Sequence, residues 1–217
     1  MTPNDIIALY RTAANDNAVP QFCSDSELVG YINEAEEQAC IRGSLLFDKT
    51  SGFTEVAISN PDSAYTLDDS ILTIKYASLT DSGGVVYPLA ILDSEEMSRL
   101  DKSWRSTTQI PTAISHIDGV METNFIPDVG YTIKLEVYKL PATKTGGTAF
   151  EIARAHQRNL LDWVLYRALS KQDNEIFNGD RSLKHYADFE KYFGVNPGRD
   201  LRKGQFANTP HRNKGYY

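Results

Sequence analysis

The sequence predicts an α+β protein: an antiparallel four-helix bundle with an inserted small antiparallel β domain and an extended basic C-terminal arm. The two folded parts are predicted because the spacing of apolar residues changes from helical to alternating near residue 51 and returns to helical after residue 141. The arm is predicted because the last 22 residues carry five basic residues against one acidic residue. The expected parts are residues 1–50 and 142–195 for the bundle, 51–141 for the β domain and 196–217 for the arm.

Two helices are predicted in the first part. Pro3 suits the first turn of a helix over residues 3–15, whose apolar residues fall near helical spacing. The segment from Ser24 to Glu27 has the form of a capping box and opens a helix from about Asp25 to Phe47. One apolar stripe along this helix is formed by Leu28, Tyr31, Ile32, Ala35, Ala39 and Leu46.

Residues 51–141 show the alternation that is typical of strands. The clearest alternation runs from Tyr131 to Val137, and another runs from Leu72 to Tyr76. Pro88 indicates an edge strand or a bulge, because proline cannot donate a hydrogen bond to a neighbouring strand. A short helix is expected from Ser94 to Trp104.

Helical spacing returns after a linker over residues 141–147. One helix is expected over about Ala149–Lys171 and a last one over Arg181–Phe193, which Gly194 ends. The simplest arrangement packs the apolar stripes of all four helices into one bundle. The arm over residues 196–217 has almost no aliphatic residue to bury, so it is not expected to fold alone.

Composition limits the possible classes of protein. The net charge of −7 and the pI of about 5.1 oppose tight, non-specific binding to nucleic-acid phosphates. Cys23 and Cys40 are too few for a disulfide framework, form no CxxC pair and are expected to stay reduced. We expect no signal peptide and no membrane-spanning run, and therefore synthesis and use in a cytosol.

The sequence predicts no catalytic, metal-binding or cofactor-binding residue. Glu34, Glu36 and Glu37 come nearest to an acid–base pair, but a solvated helix face is the simpler interpretation. Cys23 precedes a helix and is a conceivable nucleophile, although a small, partly buried residue is the favoured interpretation. His156 lies on a helix stripe and is expected to be a core or interface histidine.

Four aromatic residues and one further histidine complete the candidates. Trp163 is expected in the core, and for Trp104 core packing is favoured over an exposed contact. Tyr216 and Tyr217 beside the basic residues of the arm have a composition that is favoured at interfaces. His116 has no partner that the sequence identifies.

Particular residues recur in a characteristic order along nearly the whole chain. They are the predicted N-terminal helix, the segment Asp16 to Pro20, Tyr31-Ile32-Asn33-Glu34-Ala35 with Arg42, Leu100-Asp101, Trp104, Pro111, the segment Pro127 to Pro141, Glu151-Ile152, His156, Leu160-Leu161, Trp163, Ala168, Asp173, Glu175 and the segment Phe189 to Gly194. This order resembles the head-to-tail adaptors of tailed phages, especially those of the short-tailed type. The segment after Gly194 lies outside the matched pattern in detail.

The resemblance implies a structural virion protein at the head-to-tail junction, made in the host cytoplasm, with no enzymatic activity and no cofactor. Such adaptors form rings of about twelve subunits under the portal protein, and their C-terminal arms commonly reach into portal grooves. They extend the channel, which genomic DNA passes without specific binding, and present a platform for the tail nozzle, tube or fibres. The portal-binding residues of the arm are then expected to be Arg199, Arg202, Lys203, Arg212, Lys214, Tyr216 and Tyr217.

Three alternatives stay open at this point. One is another connector, such as a stopper or a tail terminator. The second is a virion-associated cell-wall hydrolase, which needs an acid–base pair that the sequence does not supply. The third is a nucleic-acid-binding module that uses the basic arm, whose DNA binding would depend on salt and be lost with the arm.

Overall fold

The structure is a computed structural model that describes residues 1–17, 19–171 and 177–197. Within these residues the chain divides into two compact units, one of residues 1–46 with 139–197 and one of residues 47–138. The helices are Pro3–Ala14 (α1), Asp25–Gly43 (α2), Ser94–Leu100 (α3), Arg154–Gln157 (α4), Leu160–Leu169 (α5) and Gly179–Phe193 (α6). The strands are Phe47–Asp48 (β1), Glu55–Ile58 (β2), Ala64–Thr66 (β3), Ile71–Thr80 (β4), Val86–Ile91 (β5), Ala113–Ile117 (β6), Val120–Thr123 (β7) and Tyr131–Lys139 (β8).

Helix α1 confirms the prediction for the first residues of the chain. Pro3 occupies its first turn, where the missing N–H has no helical partner to lose. The amide of Thr2 donates to the Asp5 carboxylate at 2.7 Å, which satisfies a backbone donor at the helix start. The helix ends at Ala14 because Asn15 adopts the left-handed conformation, with φ of 56°.

Helix α2 begins at the predicted cap but ends before the predicted residue. The Ser24 hydroxyl accepts a hydrogen bond from the Glu27 amide at 3.2 Å. The Glu27 carboxylate instead accepts hydrogen bonds from Tyr31 and Lys171. Of the two hydrogen bonds of a capping box, the one to the serine hydroxyl is therefore the one observed. The helix ends at Gly43 rather than near Phe47, because Ser44 takes a left-handed conformation with φ of 49°.

The single helix expected over residues 149–171 is wrong. Residues 149–153 are not helical, and the turn at Arg158 and Asn159 separates α4 from α5. The last helix begins two residues earlier than expected, at Gly179, where the Asn178 side chain caps it. It ends at Gly194 as predicted, and the φ of +95° at that residue is one that only glycine adopts readily.

The core of the helical unit lies where α1, α2, α5 and α6 pack against one another. Its largest fully buried side chains include those of Tyr10, Phe189, Ile6, Leu28 and Ile32. Burial of each such side chain contributes roughly 1.5–3 kcal/mol, which outweighs the weak intrinsic stability of short helices. Among the helices that the structure describes, none has the length and apolar character needed to span a bilayer.

The strands form one curled, mixed sheet of eight strands in the order β1-β8-β4-β5-β6-β7-β3, and β2 pairs with β8 as well. The pairs that β8 forms with β1 and β2 are antiparallel, as are β4–β5, β6–β7 and β3–β7. Strands β5 and β6 are parallel and pair Ala90 with Ala113 and Ile91 with Ile114. A parallel pair requires a crossover connection, and residues 92–112, with α3, supply it.

The predicted architecture of a four-helix bundle with a small antiparallel insertion is therefore wrong. The protein is α+β, but the sheet is large and mixed, α3 belongs to the sheet unit, and α4 is a separate short helix. The parallel pairing of β5 with β6 joins residues on either side of the crossover, such as Ala90 and Ala113. The local spacing of apolar residues therefore does not predict it. The break before α5 contains neither proline nor glycine, the residues that most often mark the end of a helix.

Strand β8 confirms the clearest alternation in the sequence. Tyr131, Ile133, Leu135 and Val137 are buried, and Lys134 between them is exposed. The buried residues join one core with apolar residues of the other long strand, β4. Because side chains alternate between the two faces of a strand, this pattern fixes which face of β8 packs inward.

Pro88 lies on a strand that is interior to the sheet order, although an edge or a bulge was expected. It pairs with Ser78 of β4, while the pairing of β5 with β6 involves only Ala90 and Ile91. Pro88 therefore has a neighbouring strand on one side only. Because β6 does not pair with Pro88, the missing N–H of the proline costs no hydrogen bond between β5 and β6.

Trp104 confirms the core interpretation, at 2% exposure. It packs with Met97, Ala113 and Phe125 in a second, smaller core of the sheet unit. Its indole N–H donates to the Ser98 hydroxyl at 3.1 Å, so the one polar atom of the ring has a partner. Helix α3 ends at Leu100, and Trp104 lies in the turn that follows.

We predict that Ile133→Ala lowers the free energy of unfolding by about 2–5 kcal/mol, because it leaves a cavity in the main core of the sheet. Equilibrium urea unfolding followed by circular dichroism measures this cost. The control is Lys134→Ala, the exposed neighbour that forms a surface ion pair with Glu55 at 2.9 Å. This control is expected to cost less than about 1 kcal/mol. Equal costs for the two variants would contradict the assigned register of β8.

Candidate functional site

The residues predicted to bind a portal lie outside the described residues; they are Arg199, Arg202, Lys203, Arg212, Lys214, Tyr216 and Tyr217. Asp173 and Glu175, which contributed to the resemblance, lie outside them too. Of the predicted arm, the structure describes Asn196 and Pro197. It also describes the helix from which the arm continues, and the contacts that hold this helix are the candidate site.

A buried arginine on α2 holds the end of α6. The C-terminal platform, as we name this site, consists of Arg42, Trp163, Tyr186, Phe189 and Gly194. The guanidinium carbon lies 5.4, 5.5 and 5.3 Å from the ring centroids of Trp163, Tyr186 and Phe189, respectively. Nη1 of Arg42 donates to the carbonyl oxygen of Gly194 at 3.1 Å. The platform therefore joins α2, α5 and the residue that ends α6.

The platform is stabilised because ring faces and polar atoms replace the water around the cation. The Arg42 side chain is 1% exposed, and its only described ion-pair partner is Glu190 at 3.7 Å. A desolvated cation–π contact contributes about 2 kcal/mol or more. Trp163 and Phe189 also contact each other, with ring centroids 4.9 Å apart. The burial of Trp163 confirms its predicted place in the core.

His156 packs against the last turn of α6. Its Nδ1 lies 3.2 Å from the Tyr192 hydroxyl, and its ring centroid lies 6.3 Å from that of Phe193. This position agrees with the predicted packing role. His156 adds a contact from α4 to the end of α6, beside the C-terminal platform.

A buried charge network ties α2 to the segment that leads into α4. Glu36 is fully buried, and its Oε1 accepts hydrogen bonds from the amides of Glu151 at 2.9 Å and Ile152 at 3.3 Å. The buried Lys144 ammonium donates to the Glu151 carboxylate, and Lys139 lies 3.2 Å from the same group. The expected linker over residues 141–147 is thus tied to Glu151 by the ion pair of Lys144 and to α2 by hydrogen bonds between Asn33 and the backbone of Lys144.

The solvated helix face proposed for the glutamates is wrong for Glu36. Glu37 is exposed, and Glu34 is half-buried and forms an ion pair with Arg167 at 3.3 Å. Burial raises the pKa of Glu36, and its two backbone hydrogen bonds offset this only in part. Burial alone would also raise the pKa of Glu151, but the hydrogen bond from Lys144 and its further donors outweigh burial and lower it.

The connection between α1 and α2 is fixed by a second buried ion pair. Asp16 is fully buried and accepts hydrogen bonds from the Arg11 guanidinium and from the amides of Phe22 at 2.9 Å and Cys23 at 3.4 Å. The other arm of the guanidinium donates to Asp25 at 2.6 Å. The carboxylate thus supplies acceptors that the backbone of this connection needs.

The two cysteines are buried thiols rather than nucleophiles. Cys23 is fully buried, whereas a partly buried residue was expected, and burial raises its pKa. Cys40 lies inside α2 as predicted, and burial raises its pKa to about 12. A thiol with a raised pKa is largely protonated near neutral pH and is a poor nucleophile. His116 lies buried in β6, where burial lowers its pKa.

The sequence profile of the family described as SU10 adaptor protein matches residues 1–212. The chain belongs to the SU10 adaptor protein family. This confirms the resemblance and makes the chain a phage adaptor protein, a component of the virion that contacts other virion proteins. A comparison with curated proteins gives no match. The family match continues past Gly194 to residue 212, so it includes most of the basic arm that the residue pattern left out.

Two features of the adaptor's site were not found by sequence reasoning. Arg42 was singled out only by the family resemblance, because an arginine beside an apolar stripe is expected to be exposed to solvent. Glu36 had a detectable signal, since it lies four residues from Ile32 and from Cys40, which are both buried on α2. A charged residue at that spacing is expected on the buried face of the helix.

We predict that Arg42→Ala lowers the free energy of unfolding of the adaptor by about 2–4 kcal/mol, because it removes a buried cation from three rings and a backbone carbonyl. Equilibrium unfolding followed by the fluorescence of Trp163, in a Trp104→Phe background, measures the change. The matched control is Arg167→Ala, since Arg167 also has a ring, Tyr31, and a glutamate as partners but is 40% exposed. It is expected to cost less than about 1 kcal/mol. A cost for Arg42→Ala no larger than for the control would contradict the platform.

We predict that Glu36→Gln makes the stability of the adaptor less dependent on pH. Because the folded-state pKa of Glu36 is raised, the folded protein keeps a proton that the unfolded chain releases near the ordinary value of 4.5. The contribution of Glu36 to stability therefore falls as pH rises from about that value through the raised pKa. Unfolding free energies measured between about pH 4 and pH 8 are expected to decline less in the variant. The control is Glu37→Gln on the exposed face, which should follow the wild-type curve; a Glu36→Gln curve parallel to wild type would refute the assignment.

Proposed function

We propose that this adaptor forms a ring of about twelve subunits on the portal and docks there through its C-terminal arm, residues 196–217. The family match over residues 1–212 is the observation that carries the proposal. The ring would extend the DNA channel below the portal. Its lower face would provide the attachment platform for the tail nozzle, tube or fibres.

The charge distribution supports docking by the arm. The arm has a net charge of +4, so the remaining residues sum to −11 within the total of −7. Arginine and lysine make strong, charge-assisted hydrogen bonds to carboxylates, so an acidic groove on the portal is the complementary surface. The tyrosines at the end of the arm add apolar area to such a contact.

The anchorage of α6 supports the same proposal. Arg42 binds the carbonyl of Gly194, so the arm begins from a fixed point of the helical unit. The arm of 22 residues spans at most roughly 70 Å when extended. Ordering it costs roughly 1–2 kcal/mol per residue, which requires a long groove rather than one ion pair. We therefore expect the free adaptor to be a monomer that assembles into a ring only on the portal.

The acidic body fits a channel that DNA passes without binding. A surface with an excess of carboxylates repels phosphate, and the effect is strongest at low ionic strength. Ring closure uses heterologous contacts, in which each subunit presents one face to the next subunit and a different face to the previous one. The adaptor needs no specific contact with the DNA for this role.

We predict that removal of residues 198–217 weakens binding to purified portal rings at least a hundredfold, because the truncated chain loses every basic residue of the arm. Mass and stoichiometry are measured by light scattering and sedimentation, with and without portal rings. A second variant changes the five basic residues of the arm to alanine, and a control changes Lys184 and Lys191, two exposed basic residues of α6.

Full-length adaptor and the control are expected to join the portal in the same ring, whereas both arm variants should stay monomeric and folded. Undiminished binding of the truncated chain would refute docking through the arm. A full-length protein that does not bind portal rings and forms a closed oligomer by itself would instead indicate a stopper or a tail terminator.

A further inference from the structure

We propose that Asp162, His185 and Asp188 bind one divalent transition-metal ion between α5 and α6. Each of the three residues offers one ligand atom, and these atoms lie within 4.8 Å of one another. Asp162 lies in the first turn of α5, and His185 and Asp188 lie on α6. The proposal does not rest on docking to the portal.

The two helices hold the ligands at one level because core contacts fix their register. Asp162 directly precedes Trp163, and Asp188 directly precedes Phe189, whose rings pack with centroids 4.9 Å apart. His185 and Asp188 are three residues apart on α6, a spacing that puts both side chains on one face of a helix. A site built on two packed helices is positioned more rigidly than a site on a loop.

The distance between the first two ligands suits a shared ion. Nδ1 of His185 lies 2.9 Å from Oδ1 of Asp162. Bonds from a zinc ion to a histidine nitrogen and a carboxylate oxygen are about 2.0–2.2 Å long, which separates adjacent ligand atoms by about 3.3–3.6 Å in tetrahedral geometry, so the two atoms need to move apart by only about half an ångström to share the ion. The observed distance of 2.9 Å is that of a hydrogen bond, so the metal would replace the proton between the two atoms.

The charges of the cluster favour a cation as well. Two carboxylates lie close together, and no lysine or arginine among the described residues forms an ion pair with either of them. A divalent ion bound to both carboxylates would neutralise both. Asp188 is exposed and the other two residues are half-buried, so an ion reaches the site from solvent.

The ligand types select a class of metal. One imidazole nitrogen and two carboxylates suit zinc, nickel, cobalt or manganese, whereas magnesium and calcium prefer oxygen ligands alone. Three protein ligands leave at least one position for water. The bound ion would link α5 to α6 directly beside the C-terminal platform and stabilise the folded helical unit by mass action.

The test is calorimetric titration of metal-stripped, full-length protein with zinc chloride and with cobalt chloride, with magnesium chloride as the hard-cation comparison. One zinc ion per chain is expected, and cobalt should produce a visible absorption band typical of mixed nitrogen and oxygen ligands. His185→Gln and Asp188→Asn are each expected to weaken zinc binding at least tenfold. Both residues are at least partly exposed, and circular dichroism verifies that the variants fold.

The controls are His156→Gln, which removes an imidazole outside the cluster, and His211→Gln, which removes the histidine of the C-terminal arm. They should leave zinc affinity unchanged, and saturating zinc should raise the thermal midpoint of wild type and controls but not of His185→Gln. Absence of zinc binding, or a loss that follows His156 or His211 instead, overturns the site. Magnesium affinity equal to that of zinc would overturn the assignment to a transition metal.

Discussion

The packing of α2, α5 and α6 in the helical unit depends on one buried positive charge, the guanidinium of Arg42. Arginine stays protonated at any pH that a folded protein meets, so burying it requires substitutes for water. Three aromatic faces, the carbonyl of Gly194 and a distant contact with Glu190 provide them. Each partner lies on α5 or α6 or at the end of α6, while the cation itself lies on α2. The arrangement of these helices is therefore specified by the geometry of one side chain as well as by apolar burial.

The other buried charges of the helical unit act on its connections rather than its helices. Asp16 accepts backbone hydrogen bonds from the connection between α1 and α2, and Glu36 accepts them at Glu151 and Ile152, just before α4. Irregular backbone cannot satisfy its own donors, so a buried carboxylate is an effective partner for it. In both places a buried carboxylate holds a segment that the sequence patterns predicted to be irregular.

Sequence patterns predicted the elements of the adaptor better than their arrangement. The start of α1, the stop at Gly194 and the inward face of β8 follow from local rules of capping and alternation. The parallel pairing of β5 with β6 and the break between α4 and α5 depend on tertiary contacts, which no local rule contains. The same reasoning missed Arg42 and Glu36, because a buried charge looks like a surface charge until its partners are known. The family was recognisable because its residues recur in order even where the packing that explains them is not visible.

The path of the chain explains how a large sheet is accommodated between two helical segments. The chain leaves the helical unit after Leu46 and returns at Lys139, whose amide donates to the Leu46 carbonyl at 2.9 Å. The residues next to them, Phe47 and Tyr138, pair in the sheet. The outgoing and returning segments thus supply hydrogen-bond partners to each other's backbone where the chain leaves the helical unit. Each unit buries its own apolar residues, and every residue of the C-terminal platform lies in the helical unit, so the contacts of the platform are made without the sheet unit.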